Sequence, residues 1–485
     1  MKIALISPEV VPFAKTGGLA DVAGALPKAL AKLGLEVAVV MPRYKAVDKA
    51  RFRLVDTGKK AAALMDGRKV EAGIWEGGLP GGVKVYFLDV PAYYMRDQLY
   101  GTPQGDYPDN AERFLYFAKA VPEALKAVGF RPDVLHVNDW QSAMAPLDLE
   151  AFYKGDPFFK DTGTVLTVHN MGYQGVFWPY DMHLTGLGWE YFNPDGIEFY
   201  GNLNILKAGL VFSDVINTVS KTYSKEIQTE EYGHGLDGVL RKRAADLYGI
   251  VNGIDYDEWD PAKDKVIFQP YGPGDLKGKL ENKKALKKEL GLAAGSQPLF
   301  GIITRLADQK GLDIFSEAIG PMLKLGVQLV LLGAGEDKYQ KLFAGLAAER
   351  PKQVSVTIGF NAALAQKIYA GSDVFMMPSR YEPCGLGQLI SLRYGTVPLV
   401  RKTGGLADTV KNFSRKAGKG NGFVFSEYSS GAFLKAVKAA VKAYGEKAAW
   451  KDLVARGMAE DNSWDHSAKE YVSLYKKAVQ RHKGK

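Results

Sequence analysis

Short apolar runs rich in β-branched residues alternate with helical patterns along most of this 485-residue chain. This alternation predicts βαβ units, in which parallel strands are joined by helices packed against the sheet. Clear helical patterns lie at 19–34 and 110–129. In the first half the candidate strands are KIALISP (2–8), EVAVVMP (36–42), VKVYFLDV (83–90), VLHVND (134–139), VLTVHN (165–170) and DVINTVS (214–220). In the second half they are PLFGIIT (298–304), VQLVLLGAG (327–335), VSVTIGF (354–360), DVFMMPS (373–379) and TVPLVRKTGG (396–405).

Between the two sets of strands lies a poorly periodic stretch, roughly 257–297, that is rich in Lys, Gly and Pro. We interpret it as a linker region, because a chain longer than about 250–300 residues usually forms more than one core. The sequence predicts an α/β protein with two doubly wound, Rossmann-like domains, 1–256 and 257–461, followed by a segment 462–485. Ligands of such sheets lie beyond the carboxyl ends of the strands, so we expect the domains to face a central cleft.

Composition narrows the classes of function. The first residues lack the pattern of a signal peptide, and no stretch approaches the roughly 20 apolar residues of a membrane helix. A single cysteine, Cys384, excludes an intrachain disulfide and a cysteine metal cluster. We therefore expect a cytoplasmic protein without a membrane partner.

Charge gives a weaker indication. The net charge of +9 is concentrated in 277–291 and 475–485, which we interpret as solvated helix faces and a tail. No basic run is interleaved with stacking aromatics, so nucleic acid is not expected as a partner. Small anionic ligands such as diphosphates remain compatible with the charge.

The heptapeptide KTGGLAD occurs twice, at 15–21 and 402–408. Each copy follows a candidate strand and opens a helix. Its glycines allow the backbone to approach a ligand, and the N–H groups at the start of the helix attract anions. The alternative is that each glycine pair only closes a tight turn, and the two copies need not do the same work.

The richest segment is SRYEPCGLGQLISLRYGTVPLVRKTGGLAD (379–408). It places Glu382 after a strand, where its carboxylate can accept hydrogen bonds from sugar hydroxyls while the amides of Cys384, Gly385 and Leu386 line the ligand. The alternative interpretation is that Glu382 only occupies the first turn of a helix, where the dipole favours acids.

Two further groups of side chains lie at strand ends. Arg305 and Lys310 of ITRLADQKGLD (303–313) are two cations that can hold a diphosphate, although surface cations of no function are common. His169 and Asn170 end one strand of the first half, as Asp139 and Trp140 end another. A strand-end His is also often a structural group.

These segments together resemble bacterial-type glycogen (starch) synthases. The resemblance rests on KTGGLADV, TVHN…YQG, VNGID, RLADQKGLD and the long SRYEPCGLGQL…TGGLADTV block, in the order and spacing of the family. It implies two doubly wound domains around a central cleft (GT-B-like), with the C-terminal helix crossing back onto the first domain. Packing candidates on that helix are Trp464, Tyr471, Leu474 and Tyr475.

The resemblance also implies roles for individual residues. The residues implied in catalysis are Lys15, His169, Arg305, Lys310 and Glu382. Those implied in binding the nucleotide sugar are Lys15, Gly17, Gly18, Asp21, Asn252, Arg305, Lys310, Glu382, Cys384, Gly385, Leu386, Thr403 and Gly404. Those implied in binding the acceptor are Tyr100, Asp139, Trp140 and Asn170.

Two positions depart from wider patterns. Gln141 stands where the family usually has His, which puts any role of that side chain in doubt. Ile390 stands where the wider superfamily of retaining enzymes often has a second Glu, and we expect glycogen synthases to lack that Glu too. We expect no metal at DYD (255–257), whose acids suit turns and caps, and no nucleophilic role for Cys384.

The activity that the resemblance implies is transfer of glucose from ADP-glucose to the non-reducing end of an α-1,4-glucan, with retention and without a cofactor. No clear pair of carboxylates of the glycosidase kind is visible, so positioning and cationic stabilisation of the leaving diphosphate are expected to dominate. The alternatives are a related retaining transferase that uses UDP-glucose or another acceptor, and a non-catalytic nucleotide-sugar-binding protein.

Overall fold

The computed structural model describes residues 1–102 and 104–484. The chain divides into two compact units, Met1–Ile250 with Trp464–Lys485, and Val251–Ser463. The segment 257–297, expected as a linker region, therefore lies inside the second unit.

The main sheet of the first unit has the strand order β14-β13-β9-β8-β1-β2-β5-β4-β3 among the described residues. Its central strands pair in parallel and are buried apolar runs, as expected for a sheet covered on both faces. Short strands form a β6–β7 pair and a β10-β12-β11 sheet. The strands of this unit are β1 (Lys2–Ile6), β2 (Glu36–Pro42), β3 (Val55–Met65), β4 (Arg68–Leu79), β5 (Val83–Asp89), β6 (Gly101–Thr102), β7 (Gly105–Asp106), β8 (Val134–Asn138), β9 (Gly163–Val168), β10 (Val176–Phe177), β11 (Glu198–Phe199), β12 (Asn202–Asn204), β13 (Val215–Thr218) and β14 (Leu247–Gly249).

One edge of this sheet differs from the all-parallel prediction. Strands β3 and β4 form an antiparallel hairpin, and β4 also pairs antiparallel with β5. The turn between them is Asp66–Gly67, where both residues have positive φ (49° and 71°). An Asp-Gly pair at two such positions is the usual signal of a two-residue hairpin turn, so the sequence carried this information.

Helices of the first unit pack on both faces of the sheet. Helices α1 and α3 each contain an internal proline and bury most of their apolar residues. They are α1 (Gly18–Lys32), α2 (Pro91–Tyr94), α3 (Asn110–Val128), α4 (Ala145–Tyr153), α5 (Met182–Thr185), α6 (Ile205–Phe212), α7 (Lys221–Glu226), α8 (Glu230–Gly233) and α9 (Asp237–Lys242). Single 3₁₀ turns lie at Trp140–Ser142, Pro179–Asp181, Trp189–Tyr191 and Ala244–Asp246.

The second unit has a parallel sheet of order β17-β16-β15-β18-β19-β20 in its described residues. The order reverses beside β15, which is the switch point of a doubly wound sheet. Its strands are β15 (Leu299–Ile303), β16 (Gln328–Gly333), β17 (Val354–Ile358), β18 (Val374–Met377), β19 (Val397–Arg401) and β20 (Phe423–Phe425). Its helices are α10 (Lys277–Glu289), α11 (Leu312–Leu323), α12 (Asp337–Glu349), α13 (Ala362–Gly371), α14 (Gly387–Arg393), α15 (Gly404–Thr409), α16 (Ser430–Gly445) and α17 (Lys447–Ala459), with a 3₁₀ turn at Asp308–Lys310.

The lysine-rich helix α10 is not simply a solvated surface helix. Lys279, Lys283 and Lys287 recur every four residues and are buried on one face. Lys283 Nζ lies 2.6 Å from Asp373 Oδ2, and Lys279 Nζ donates to the carbonyl of Tyr394 at 2.9 Å. The expectation of solvated helix faces is therefore wrong for these lysines, because their ammonium groups reach buried acceptors that the sequence does not reveal.

The C-terminal helix α18 (Trp464–Lys483) belongs to the first unit. Trp464, Tyr471, Leu474 and Tyr475 are all buried in that unit's core. The hydroxyl of Tyr475 lies 2.9 Å from His136 Nδ1 on β8, and the other ring nitrogen of His136 lies 2.7 Å from Thr167 Oγ1 on β9. Burial lowers the pKa of His136 to about 3, so this network holds a neutral imidazole.

Candidate active site

In the second unit, Glu382 lies in the loop between β18 and α14 and is buried. Its two carboxylate oxygens lie 3.0 and 2.8 Å from Lys310 Nζ, and Ser379 Oγ donates to one of them at 2.9 Å. Two residues predicted separately, one for sugar hydroxyls and one for the diphosphate, thus form one ion pair. Charge-assisted contacts of this kind are short and orient both groups.

Lys310 is positioned by the loop between β15 and α11. Gly311 follows it with a φ of +70°, and a Cβ at Gly311 would lie 1.9 Å from the carbonyl oxygen of Pro378. Only glycine allows this close approach, which brings the turn that carries Lys310 against the end of β18. Arg305, on the same loop, is exposed, and its guanidinium donates to Gln309 Oε1 at 3.2 Å.

The second KTGG loop packs against the backbone of the Glu382 loop. The N–H of Gly405 lies 3.2 Å from the Glu382 carbonyl oxygen and 3.1 Å from that of Pro383. A Cβ at Gly404 would lie 1.9 Å from the Glu382 carbonyl oxygen, and Thr403 before it is buried. The glycines of this copy therefore permit backbone-to-backbone contact, which fixes the loop that carries Glu382.

The segment Cys384–Leu386 is held by a glutamine. Gln388 Nε2 donates to the carbonyl oxygens of Cys384 at 3.0 Å and Gly385 at 2.9 Å, and Gly385 has a φ of +74°. Burial raises the pKa of the Cys384 thiol to about 12, although the backbone N–H of Asn252 opposes this shift. The thiol is therefore protonated and buried, which does not suit a nucleophile. The buried Asn252 side-chain oxygen has no hydrogen-bond partner among the described residues.

In the first unit, the first KTGG loop is exposed. Lys15 Nζ lies 2.6 Å from Asp21 Oδ1 at the start of α1. Burial raises the pKa of Asp21, and Lys15 opposes that shift. Gly17 is in extended backbone, and a Cβ there would meet no atom within 4 Å, in contrast to Gly404. Gly18 is the first residue of α1.

Asp139 and His169 meet at the carboxyl ends of β8 and β9. The N–H of His169 donates to Asp139 Oδ1 at 2.7 Å, and His169 Nε2 lies 3.0 Å from Asn138 Oδ1. Asp139 has φ 54° and ψ −178°, a conformation that costs a non-glycine residue about 1–3 kcal/mol. Burial raises the pKa of Asp139 to about 7, with a further increase from the charge of Glu9, and burial lowers the pKa of His169 to about 3.

The remaining acceptor-side candidates differ in exposure. Trp140 is buried, with its ring centroid 5.0 Å from that of Phe114, so little of the ring is open to a ligand. Asn170 accepts the N–H of Gly172 in a local turn at 2.9 Å. Tyr100 is partly exposed, and its hydroxyl donates to Glu9 at 2.7 Å. The roles of these residues stay predictions.

Comparison with known proteins covers both units. Residues 2–242 match the family described as starch synthase catalytic domain, and residues 283–452 match glycosyl transferases group 1. A glycogen synthase of Syntrophotalea carbinolica is 50% identical over 484 residues, covering 99% of this chain and 100% of the relative. One of Thermosipho africanus is 51% identical over 490 residues, with coverage of 99% and 100%.

The chain belongs to the glycogen synthase family. The catalytic domain of starch synthase IV from Arabidopsis thaliana, bound to ADP and acarbose, matches this structure with a TM-score of 0.92 and 35% identity over 99% of each chain. Sucrose-phosphate synthase from Thermosynechococcus elongatus matches with a TM-score of 0.60 and 16% identity, a likeness of fold alone. The predicted fold class and the classification as a glycosyltransferase are confirmed.

Sequence reasoning missed several groups that hold the glycogen synthase motifs in place. Gln388, Gln309 and Ser379 lie within the motifs that carry the resemblance, so their positions in the sequence indicated that they are close to the site. Their hydrogen-bond partners could not be predicted from the sequence. Gln141, the departure from the family pattern, is buried, and its side-chain oxygen has no hydrogen-bond partner within the described residues. In the residues that the structure describes, no helix is long and apolar enough to span a membrane.

Proposed function

We propose that this member of the glycogen synthase family transfers glucose from ADP-glucose to the 4-hydroxyl at the non-reducing end of an α-1,4-glucan, with retention at the anomeric carbon. The observation that carries the proposal is the Lys310–Glu382 pair, which combines a cation for a diphosphate with a carboxylate for sugar hydroxyls. The structural relative bound to ADP and acarbose supports an adenine nucleotide. We also propose a cytoplasmic location.

The second unit supplies the groups for the donor. Arg305 and Lys310 stabilise the negative charge that develops on the leaving diphosphate. Glu382 and the backbone of Cys384–Leu386 bind the glucosyl hydroxyls. Asn252, Thr403 and Gly404 also bind the nucleotide sugar in this proposal.

The first unit supplies a second set of groups. Lys15, with Gly17, Gly18 and Asp21, acts on the donor, and the part-exposed ammonium group of Lys15 suits an anionic ligand. His169 acts beside the transferring sugar, while Tyr100, Asp139, Trp140 and Asn170 act on the glucan. The low pKa of His169 means that it serves as a neutral hydrogen-bonding group.

The chemistry needs no second carboxylate in this proposal. The bond from the anomeric carbon to the diphosphate oxygen breaks, and the acceptor oxygen bonds to the same face of that carbon. The acceptor hydroxyl gives its proton to the leaving diphosphate oxygen, so charge and protons balance. Positioning and electrostatic stabilisation carry the rate.

The test is transfer of glucose to glycogen from ADP-glucose and from UDP-glucose, in parallel and with a chelator present. We expect ADP-glucose to be preferred and Glu382→Ala to lose at least about 100-fold in rate. Glu317→Ala, at an exposed Glu on α11, is the matched control and should equal the wild type. Incorporation mainly from UDP-glucose would correct the donor, and no incorporation from either would refute the proposed activity.

A further inference from the structure

Glu9, which follows β1, is a buried carboxylate that none of the sequence motifs pointed to. The hydroxyl of Ser7 holds both the N–H and the carbonyl group of Glu9. Ser7 Oγ donates to the Glu9 carbonyl oxygen at 2.6 Å, and the Glu9 N–H lies 3.3 Å from the same hydroxyl. The side chain therefore leaves a rigid stretch of backbone and reaches toward the first KTGG loop.

The carboxylate of Glu9 receives four hydrogen bonds. One oxygen accepts the N–H groups of Thr16 at 2.5 Å and Gly17 at 3.2 Å. The other accepts the hydroxyls of Thr16 at 2.5 Å and Tyr100 at 2.7 Å. An ionised carboxylate offers about four acceptor positions, so its capacity is filled by donors from two separate loops.

The loop that Glu9 holds has little support from packing. Residues 15–18 are all exposed, and a Cβ at Gly17 would meet no atom within 4 Å. Packing therefore does not determine the conformation of this loop. The second KTGG loop is different, because a Cβ at Gly404, the counterpart of Gly17, would lie 1.9 Å from the Glu382 carbonyl oxygen. The carbonyls of Glu382 and Pro383 also accept the N–H of the next residue, Gly405.

We propose that Glu9 is a positioning residue for glucosyl transfer, which fixes the Lys15–Gly18 loop relative to Tyr100 through the amides of Thr16 and Gly17. The proposal rests on the proposed function, in which Lys15 acts on the donor. Glu9 touches no reacting atom in it. Its contribution is to limit the conformations of an otherwise open loop, so that less entropy is lost in ordering it when the donor binds.

The hydrogen-bond pattern predicts how substitutions at Glu9 should behave. In Glu9→Gln, the amide oxygen can accept the two backbone N–H groups, and the amide nitrogen can donate to the two hydroxyls, which also accept. Gln therefore preserves the position of the loop while it removes the charge. Ala removes every contact, and Asp is one methylene too short to reach both loops.

Activity is the first readout. We expect Glu9→Ala to lower kcat/KM for ADP-glucose at least tenfold, with Glu9→Gln within about threefold of the wild type. Tyr100→Phe, which removes one of the four contacts, should fall between the Gln variant and the Ala variant. A kcat/KM of Glu9→Ala within twofold of the wild type would overturn a positioning role. So would a kcat/KM of Glu9→Gln as low as that of Glu9→Ala.

Hydrogen exchange of the full-length chain is the second readout, and it does not depend on activity. The amides of Thr16 and Gly17 should exchange about tenfold or more faster in Glu9→Ala than in the wild type and in Glu9→Gln. Unchanged exchange in the Ala variant would overturn the proposal even if activity fell. Should the wild type transfer no glucose, the exchange result still decides whether Glu9 holds the loop, so the two failures are distinguishable.

Discussion

Lys310 Nζ lies within 3.0 Å of both carboxylate oxygens of Glu382, which is 72 residues further along the chain. The pair is largely buried, with 18% and 9% of the two side chains exposed. Because a buried charge without its partner is costly, each residue depends on the other for its position.

We therefore expect Lys310→Ala and Glu382→Ala each to reduce the rate of glucosyl transfer by about 100-fold or more. The double variant should be little worse than the poorer single variant, because the residues act as a unit. The measurement is kcat in a double-mutant cycle, with Lys324→Ala just after α11 and Glu317→Ala on its exposed side as the control pair. Losses that simply multiply would show that the two side chains act independently.

The two KTGG loops should respond differently to the same substitution. Gly404→Ala, at the position that corresponds to Gly17, places a Cβ 1.9 Å from the Glu382 carbonyl oxygen, and we expect it to destabilise the second unit by about 1–3 kcal/mol. Gly17→Ala meets no atom within 4 Å and should change the free energy of unfolding by less than about 0.5 kcal/mol. It should still raise KM for the donor. Equal destabilisation in urea unfolding would contradict the difference between the loops.

Asp148 on α4 predicts a pH dependence of stability in the first unit. The residue is fully buried, and neither carboxylate oxygen has a hydrogen-bond partner in the described part of the chain. Burial raises its pKa to about 7, with Lys119 opposing the shift. The folded state therefore keeps a proton that the unfolded chain releases above about pH 4, so stability falls as the pH rises from about 4 to 7.

Asp148→Asn cannot ionise and should escape this loss. Relative to the wild type, we expect its free energy of unfolding to increase between pH 4 and 8 by up to about 4 kcal/mol. Urea unfolding at each pH measures this difference. Val55→Ala, at an exposed residue of the same unit that cannot ionise, is the control and should show a constant difference. If the difference in free energy of unfolding between Asp148→Asn and the wild type were also constant with pH, the raised pKa of Asp148 would be refuted.

Cys384 should be inert in the native chain. Its thiol is buried and its pKa is raised to about 12, so only about one thiol in ten thousand is ionised at pH 8. We expect alkylation by iodoacetamide at pH 8 to be at least about 1,000-fold slower than in urea, where one label per chain should be incorporated. Rapid labelling of the native chain would show that the loop around Cys384 opens.

Periodicity was enough to predict the βαβ architecture, because the central strands are buried runs whose apolar character does not depend on distant residues. The antiparallel β3–β4 hairpin was missed although Asp66–Gly67 signalled it. The burial of Lys279 and Lys283 could not be predicted, since it depends on acceptors about 90 residues or more away in sequence, such as Asp373 and Tyr394.

The candidate site shows the same limit. Motifs indicated which residues lie at strand ends, and the resemblance to glycogen synthases assigned them roles. Neither could indicate that Lys310 and Glu382 are paired, or that Glu9 holds the first KTGG loop, because these contacts join separate segments. Side-chain partners depend on packing in three dimensions, whereas strand-end positions follow from the local pattern.

Helix α18 belongs to the first unit but is synthesised only after the whole second unit. The 213 residues of Val251–Ser463 are translated between Ile250 and this helix, which takes about 10–40 s at about 5–20 residues per second. During that interval the faces of β8 and β9 that later contact Tyr471 and Tyr475 are bare. A Cβ at Gly163 would lie 2.8 Å from the backbone of Ala478, so this slot fits a helix closely. The nascent first unit thus has an open apolar slot until α18 has been made and closes it.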